Sequence, residues 1–303
     1  MRWSAALSGV VALLAIVAAA LGVFARGDGT FEAVTSVRGE TYEVATTGVY
    51  AWSAKQLVAE GVGWDLFTLI VAAPLLLVGA LFVARGSFRG HLFTSGLLGY
   101  FVYLYLEYAV TWAFGPLFAL FVTILGIALI AMIGTAASAT AMGLNDRFDR
   151  RFPGRQWAAL SIAMSALLIV MWTALIAQGL SGDVDRLLHG ETTLTVQALD
   201  LGIMVPITLL VAGATLLRHP TGMAVAGAWV VTFTTMSGAI AAMMVSASVV
   251  TGALQLPPLV IFGAACVGGI AIGTRMYTSA APRRRDARDT AGTLQSADLP
   301  AAG

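Results

Sequence analysis

Long apolar runs alternate with short polar segments along the whole chain, and the pattern predicts eight membrane-spanning helices. The runs lie near Ala5–Phe24, Asp65–Ala84, Leu92–Thr111, Leu117–Ala141, Trp157–Gln178, Leu199–Leu217, Gly222–Ser248 and Leu259–Met276. Each supplies about the 20 residues that a helix needs to cross a hydrocarbon core of ~30 Å. None alternates apolar and polar residues as the strands of a membrane barrel do. The expected fold class is therefore all-α, a polytopic transmembrane helix bundle of about eight spans. The longest polar interruption, 25–64, is expected on the outer side. Within it Thr41–Tyr50 alternates like a strand, and Ala51–Glu60 has the composition of a short helix.

The first run also fits a signal peptide, with Arg2 ahead of it and Ala18-Ala19-Ala20 as a cleavage site. A signal peptide's apolar region is about 7–15 residues, shorter than this run, so a retained helix is expected. Cleavage would leave seven spans in the same orientation.

Composition agrees with the pattern. Of 303 residues 58% are hydrophobic and 11% charged, against about 25% charged in a soluble domain. So few charges cannot cover a water-exposed surface, and the lipid bilayer is the first partner implied. The 33 glycines suit close helix packing in lipid. One cysteine, Cys266, excludes an intrachain disulfide and a thiol relay. Three scattered histidines point to no metal centre and no cofactor.

The distribution of charge sets the orientation. With the N-terminus inside, 13 of the 17 Lys and Arg fall on the cytoplasmic side, and only Arg26, Arg38, Lys55 and Arg186 fall outside. The positive-inside rule thus places both termini in the cytoplasm. Residues 1–282 are read as the membrane domain and 283–303 as a disordered cytoplasmic tail, with Arg283-Arg284-Arg285 as a headgroup anchor. Nothing in the chain suggests binding to nucleic acid.

Two halves, 1–143 and 155–282, carry similar features in the same order. Each second span opens on an aspartate and leucine (Asp65-Leu66, Asp200-Leu201) and has a proline (Pro74, Pro206). Gly79-Ala80 or Gly213-Ala214 comes next, then Arg85 or Arg218. Four spans per half would make such repeats parallel. Chance similarity between apolar helix pairs is the competing explanation.

The stretch from Trp64 to Arg89, Leu98-Gly99-Tyr100 with Tyr103 and Tyr105, and Phe114-Gly115-Pro116-Leu117-Phe118 resemble an uncharacterised family of bacterial polytopic membrane proteins. Ala198–Pro206 and Arg218–Gly222 resemble it again. The chain departs from the family's pattern at Gly115, where Asn is usual, and near Arg218, where the arginine run is fuller. The resemblance implies the helical fold and a bacterial plasma membrane, and no activity.

Ionisable residues inside spans are functional candidates by default. Glu107 is the foremost. At 100° per residue it shares a face with Tyr100, Tyr103 and Thr111, while Tyr105, Tyr108 and Trp112 form a second face. An aromatic belt at the membrane interface is the plain alternative. Asp65 and Asp200 are expected to cap helix N-termini, or else to join Glu107, Tyr103 and Tyr100 around one outward-facing acidic vestibule. Pro74 and Pro206 are expected to kink their helices and free a carbonyl. The hydroxyls of the seventh run, Thr232 to Ser248, serve packing first.

No zinc-protease, P-loop, nucleophile-elbow or dinucleotide motif is present, so an enzyme is not expected. Two readings compete. One is a transporter or permease for a small solute or ion. The other is a non-transporting subunit, scaffold or sensor that meets a membrane-protein partner through its outer loop.

Overall fold

The computed structural model describes residues 2–145, 147–182, 188 and 191–280. The predicted tail 283–303, with its arginine anchor, lies outside the described residues, as does Arg186. Eight long helices make up the described body: α1 (Arg2–Phe24), α2 (Lys55–Ala84), α3 (Phe88–Thr111), α4 (Phe118–Ala141), α5 (Gly154–Leu180), α6 (Thr195–Leu216), α7 (Pro220–Thr251) and α8 (Leu256–Ser279). Seven are long and apolar enough to cross a membrane, and the chain is a multi-pass membrane protein. The exception, α3, carries Arg89, His91 and Glu107. It is also the most enclosed, with 16 of its 24 residues buried. A central helix tolerates polar residues because its neighbours, not lipid, surround them.

The loop between α1 and α2 contains a small antiparallel hairpin. Strand β1 (Phe31–Thr35) pairs with β2 (Thr41–Ala45), Val34 lying opposite Tyr42. The predicted strand thus ends at Ala45, five residues early. The helix expected at Ala51–Glu60 starts at Lys55 and continues unbroken into α2. This changes the role of two aspartates. Asp65 lies ten residues inside α2, and Asp200 five residues inside α6, so neither caps a helix end.

Helices α2 and α6 share an irregularity. Residues Thr68–Ala72 and Asp200–Met204 form π-helical turns, in which the Ala73 N–H bonds the Thr68 carbonyl and the Val205 N–H bonds the Asp200 carbonyl. Each turn ends two residues before a proline, Pro74 or Pro206. Proline lacks the N–H and crowds the carbonyl four residues back. One extra residue in the turn relieves that conflict, so the expected kinks take the form of π turns. Such turns occur often at functional sites.

Beyond the prolines the two halves run in one register. Pro74 and Pro206 are 132 residues apart, and the same offset recurs toward the C-terminal side of each. Twelve-residue α-segments, Ala73–Ala84 and Val205–Leu216, come next. Then comes one residue with positive φ, Gly86 at 71° or Arg218 at 52°. Helices α3 and α7 then begin. A Cβ on Gly90 would lie 2.5 Å from the Phe82 Cβ, and one on Gly222 would lie 2.7 Å from the Ala214 Cβ. The same small residue thus permits the same tight hairpin twice. In this register Asp200 corresponds to Thr68, not to Asp65, which corresponds to Gln197.

Helices α3 and α7 cross at the centre of the bundle. Gly96 packs directly on the Ala228 carbonyl, and the Thr232 Oγ1 donates to the Gly96 carbonyl at 2.7 Å. Around this crossing α1 packs on α2 and α4, while α5 packs on α6.

Candidate functional site

The largest apolar core fills the first half. Along α3, Phe101 stacks on Tyr105, and Tyr105 and Tyr108 pack against Phe121 of α4. Ring centroids lie 6.3 Å apart for Phe101 and Tyr105, 5.8 Å for Tyr105 and Phe121, and 5.1 Å for Tyr108 and Phe121. Asp65 lies within this packing. Its carboxylate accepts the hydroxyls of Tyr50 and Tyr108, the latter at 3.2 Å. Gly22 of α1 supplies the space, because a Cβ there would overlap the Asp65 carboxylate and the Tyr50 hydroxyl. Tyr100 is occupied in a similar way. Its hydroxyl accepts from the Trp64 Nε1 at 3.0 Å and pairs with Thr68 Oγ1 at 2.7 Å.

The second half is hollow at the corresponding place. A cavity of about 280 Å³ lies among α2, α3, α5, α6, α7 and α8, and Glu60, Glu107 and Asp200 all line it. The register explains the difference. The lining residues Asp200, Met204, Val205 and Thr208 correspond to Thr68, Ala72, Ala73 and Leu76. Phe233, Ser237 and Ile240 correspond to Phe101, Tyr105 and Tyr108. Every one of those counterparts is buried in the first half. Where Tyr105 fills space with a ring, Ser237 leaves it empty.

The polar groups of the cavity fall into two kinds. Asp200 is held, since its carboxylate accepts the Tyr103 hydroxyl at 2.6 Å and the Trp172 Nε1–H at 2.9 Å. Glu60 accepts from the Gln56 amide of its own helix. Glu107 is 5% exposed, and among the described residues no donor reaches its carboxylate. Among the described residues no Lys, Arg or His lines the cavity. Among the described residues no three of His, Cys, Asp and Glu are close enough to share a metal ion.

Just outside, in the segment before α6, Glu191 adds to the same field. Its own burial, then the charge of Glu60, raise its carboxyl to about 7. In the loop between α1 and α2 the fully exposed Asp28 goes the other way, to about 2, because Thr47 and Thr30 donate to its carboxylate.

Of the five residues expected to share one vestibule, the structure brings together Glu107, Tyr103 and Asp200. It sets Asp65 and Tyr100 apart, in the packed half. Sequence patterns alone did not single out Glu60, Trp172 or the methionines. Trp172 carried a usable signal, because it stands inside an apolar run and needs a partner for its indole N–H. Six of the eleven methionines line the cavity, Met164, Met171, Met204, Met236, Met243 and Met244, and no spacing rule would have gathered them.

Compared with family models, with curated proteins and with solved structures, the chain matches none.

Proposed function

We propose that this membrane protein is a transporter or permease for a small solute or ion, with the cavity around Glu107 as its solute site. The observation that carries the reading is the Glu107 carboxylate, almost wholly buried, facing an open volume and given no donor by the described residues. Burying an unpartnered charged group costs several kcal/mol, roughly, unless something neutralises it. A group that serves only the fold is paired, as Asp65 is. One that stays unpaired beside a cavity is available to a ligand.

The shared register of α2–α3 and α6–α7 supports two parallel four-helix repeats, 1–143 and 155–282. The π turns at corresponding places in the two halves add to this reading, since such turns occur often at functional sites. Positive-inside counting faces the Glu107 end outward, and the resemblance to bacterial polytopic proteins favours a bacterial plasma membrane. In this reading Glu107, Tyr103 and Asp200 remain site residues, Asp65 and Tyr100 become structural, and Glu60 and Trp172 join the site.

The test is flux into proteoliposomes carrying the full chain, measured with a panel of small charged and neutral solutes. We expect protein-dependent flux of at least one panel member. Glu107→Gln should reduce it at least tenfold while reconstituting at the wild-type level. Wild-type flux through that variant would remove Glu107 from the mechanism.

A further inference from the structure

We infer that the cavity takes a small amphipathic organic cation, a quaternary or protonated amine carrying an apolar body. The inference rests on the reading of the cavity as a solute site and names the class of solute.

Charge gives the first argument. Among the described residues three carboxylates line the cavity and no cationic side chain does. Two of the three, Glu60 and Asp200, have donors from the protein, and among the described residues Glu107 has none. A proton or a ligand's positive charge can neutralise it, and of the two only a ligand also fills the volume. A bare metal ion is a poor fit, because the carboxylates do not converge on one point and the walls are mostly apolar.

The walls give the second. Trp64, Trp172, Trp229 and Tyr103 line the same cavity as the acidic groups, Tyr103 and Trp172 in contact with Asp200. An ammonium over such faces gains about 0.5–2 kcal/mol from each well-placed ring, and more as water is excluded. The remaining lining is mostly apolar, and methionine is its commonest residue. Unbranched thioether side chains adapt to irregular apolar shapes, which suits a class of ligands better than a single rigid one.

Size gives the third. A volume of about 280 Å³ lies just below the roughly 300–1,000 Å³ typical of small-molecule sites. It accommodates one compact amine. The packed half shows that this volume is optional, since the counterpart of Ser237 closes it with a tyrosine ring.

The experiment uses the full chain purified in neutral detergent, with three probes of similar shape. These are benzyltrimethylammonium, its uncharged carbon isostere (2,2-dimethylpropyl)benzene, and the anion phenylmethanesulfonate. Trp64, Trp172 and Trp229 report occupancy through their fluorescence, and a ligand of the native state raises the thermal midpoint. We expect the cation to bind at least tenfold more tightly than either other probe. Glu107→Gln should erase that preference, a loss of about 1.4 kcal/mol per tenfold. Ser237→Tyr should abolish binding of all three.

Equal binding of cation and isostere would overturn the proposal, and so would no cation binding by folded wild type. Should Glu107→Gln fail to fold, the wild-type preference for charge decides alone. Flux assays separate this inference from the one beneath it. Flux of a neutral solute only would sink the cation class and keep the transporter. Charge-selective binding without flux of any solute would do the reverse.

Discussion

Exchanging one pair of corresponding residues tests whether the two halves are the same frame packed differently. Tyr105 is 1% exposed and its ring lies 6.0 Å from that of Tyr108 and 5.8 Å from that of Phe121. Truncating a buried aromatic costs about 3–5 kcal/mol, the lost contacts plus the void left behind. The serine hydroxyl adds little penalty, because it can bond the carbonyl four residues back in its own helix. Tyr105→Ser should therefore destabilise by about 3 kcal/mol. Ser237→Tyr, the reverse change on α7, meets a cavity of about 280 Å³. A cavity of roughly 150 Å³ is enough to hold benzene. The new ring should enter without displacing packed groups, at a net effect within about 1 kcal/mol of zero. Thermal unfolding in mild detergent measures both. At about 2–4 °C per kcal/mol for a chain of this order of size, Tyr105→Ser should lower the midpoint by on the order of 10 °C and Ser237→Tyr should barely move it. Comparable losses in both variants would mean that the second half has no free space at that position, and the correspondence would be wrong.

Two further outcomes concern the region around the carboxylates. Gly22→Ala should destabilise by about 1–3 kcal/mol, the usual cost of overpacking, because its Cβ would overlap the Asp65–Tyr50 pair; Gly9→Ala, with open space around it, should show no loss in the same unfolding assay. The folded chain raises the Glu191 carboxyl from 4.5 to about 7. Between those values the folded state holds a proton that the unfolded state releases, so stability should fall as pH rises from about 5 to above 7. Glu191→Gln should flatten that part of a thermal midpoint against pH curve, and an unchanged slope would remove Glu191 as its source.

The helices were legible because lipid leaves no alternative to a long apolar run. Each of the eight runs lies on one of the eight helices. Helix ends were less so, and the consequence falls on the aspartates. Gln56 and Glu60 read as part of a separate short helix, but they belong to the first turns of α2, which moves Asp65 from a supposed cap to the helix interior. The face that pairs Glu107 with Tyr103 could be read from 100° spacing, and both line the cavity. Tyr100, one turn away on the same face, lies deeper, where Trp64 and Thr68 engage it. Spacing gives direction around a helix and says nothing about which neighbour stands opposite. The likeness of the halves was visible in residue identities but in the wrong register. Matching Asp65 to Asp200 slips the pairing by three residues from the one set by the prolines and π turns, because the backbone irregularity is repeated and the carboxylate is not.

That slip bears on function. If the two aspartates were equivalents, the site would be expected on the axis between the halves, near the crossing of Gly96 with Ala228. Instead each half spends its aspartate locally. Asp65 takes the hydroxyls of Tyr50 and Tyr108 and ties the loop to the packed half. Asp200, in the place of Thr68, takes Tyr103 and Trp172 and forms a wall of the hollow half. Both are satisfied, and neither has its carboxylate left over for a ligand to complete. Glu107 corresponds to Ala239 and has no equivalent in the other half. It projects from α3 of the first half into the cavity of the second, so the acidic group and the empty volume come from different halves. A site of that kind requires asymmetry in two places at once: a ring absent at 237 and a carboxylate present at 107. Removing either asymmetry, by Ser237→Tyr or by Glu107→Gln, should silence the site while leaving the frame intact.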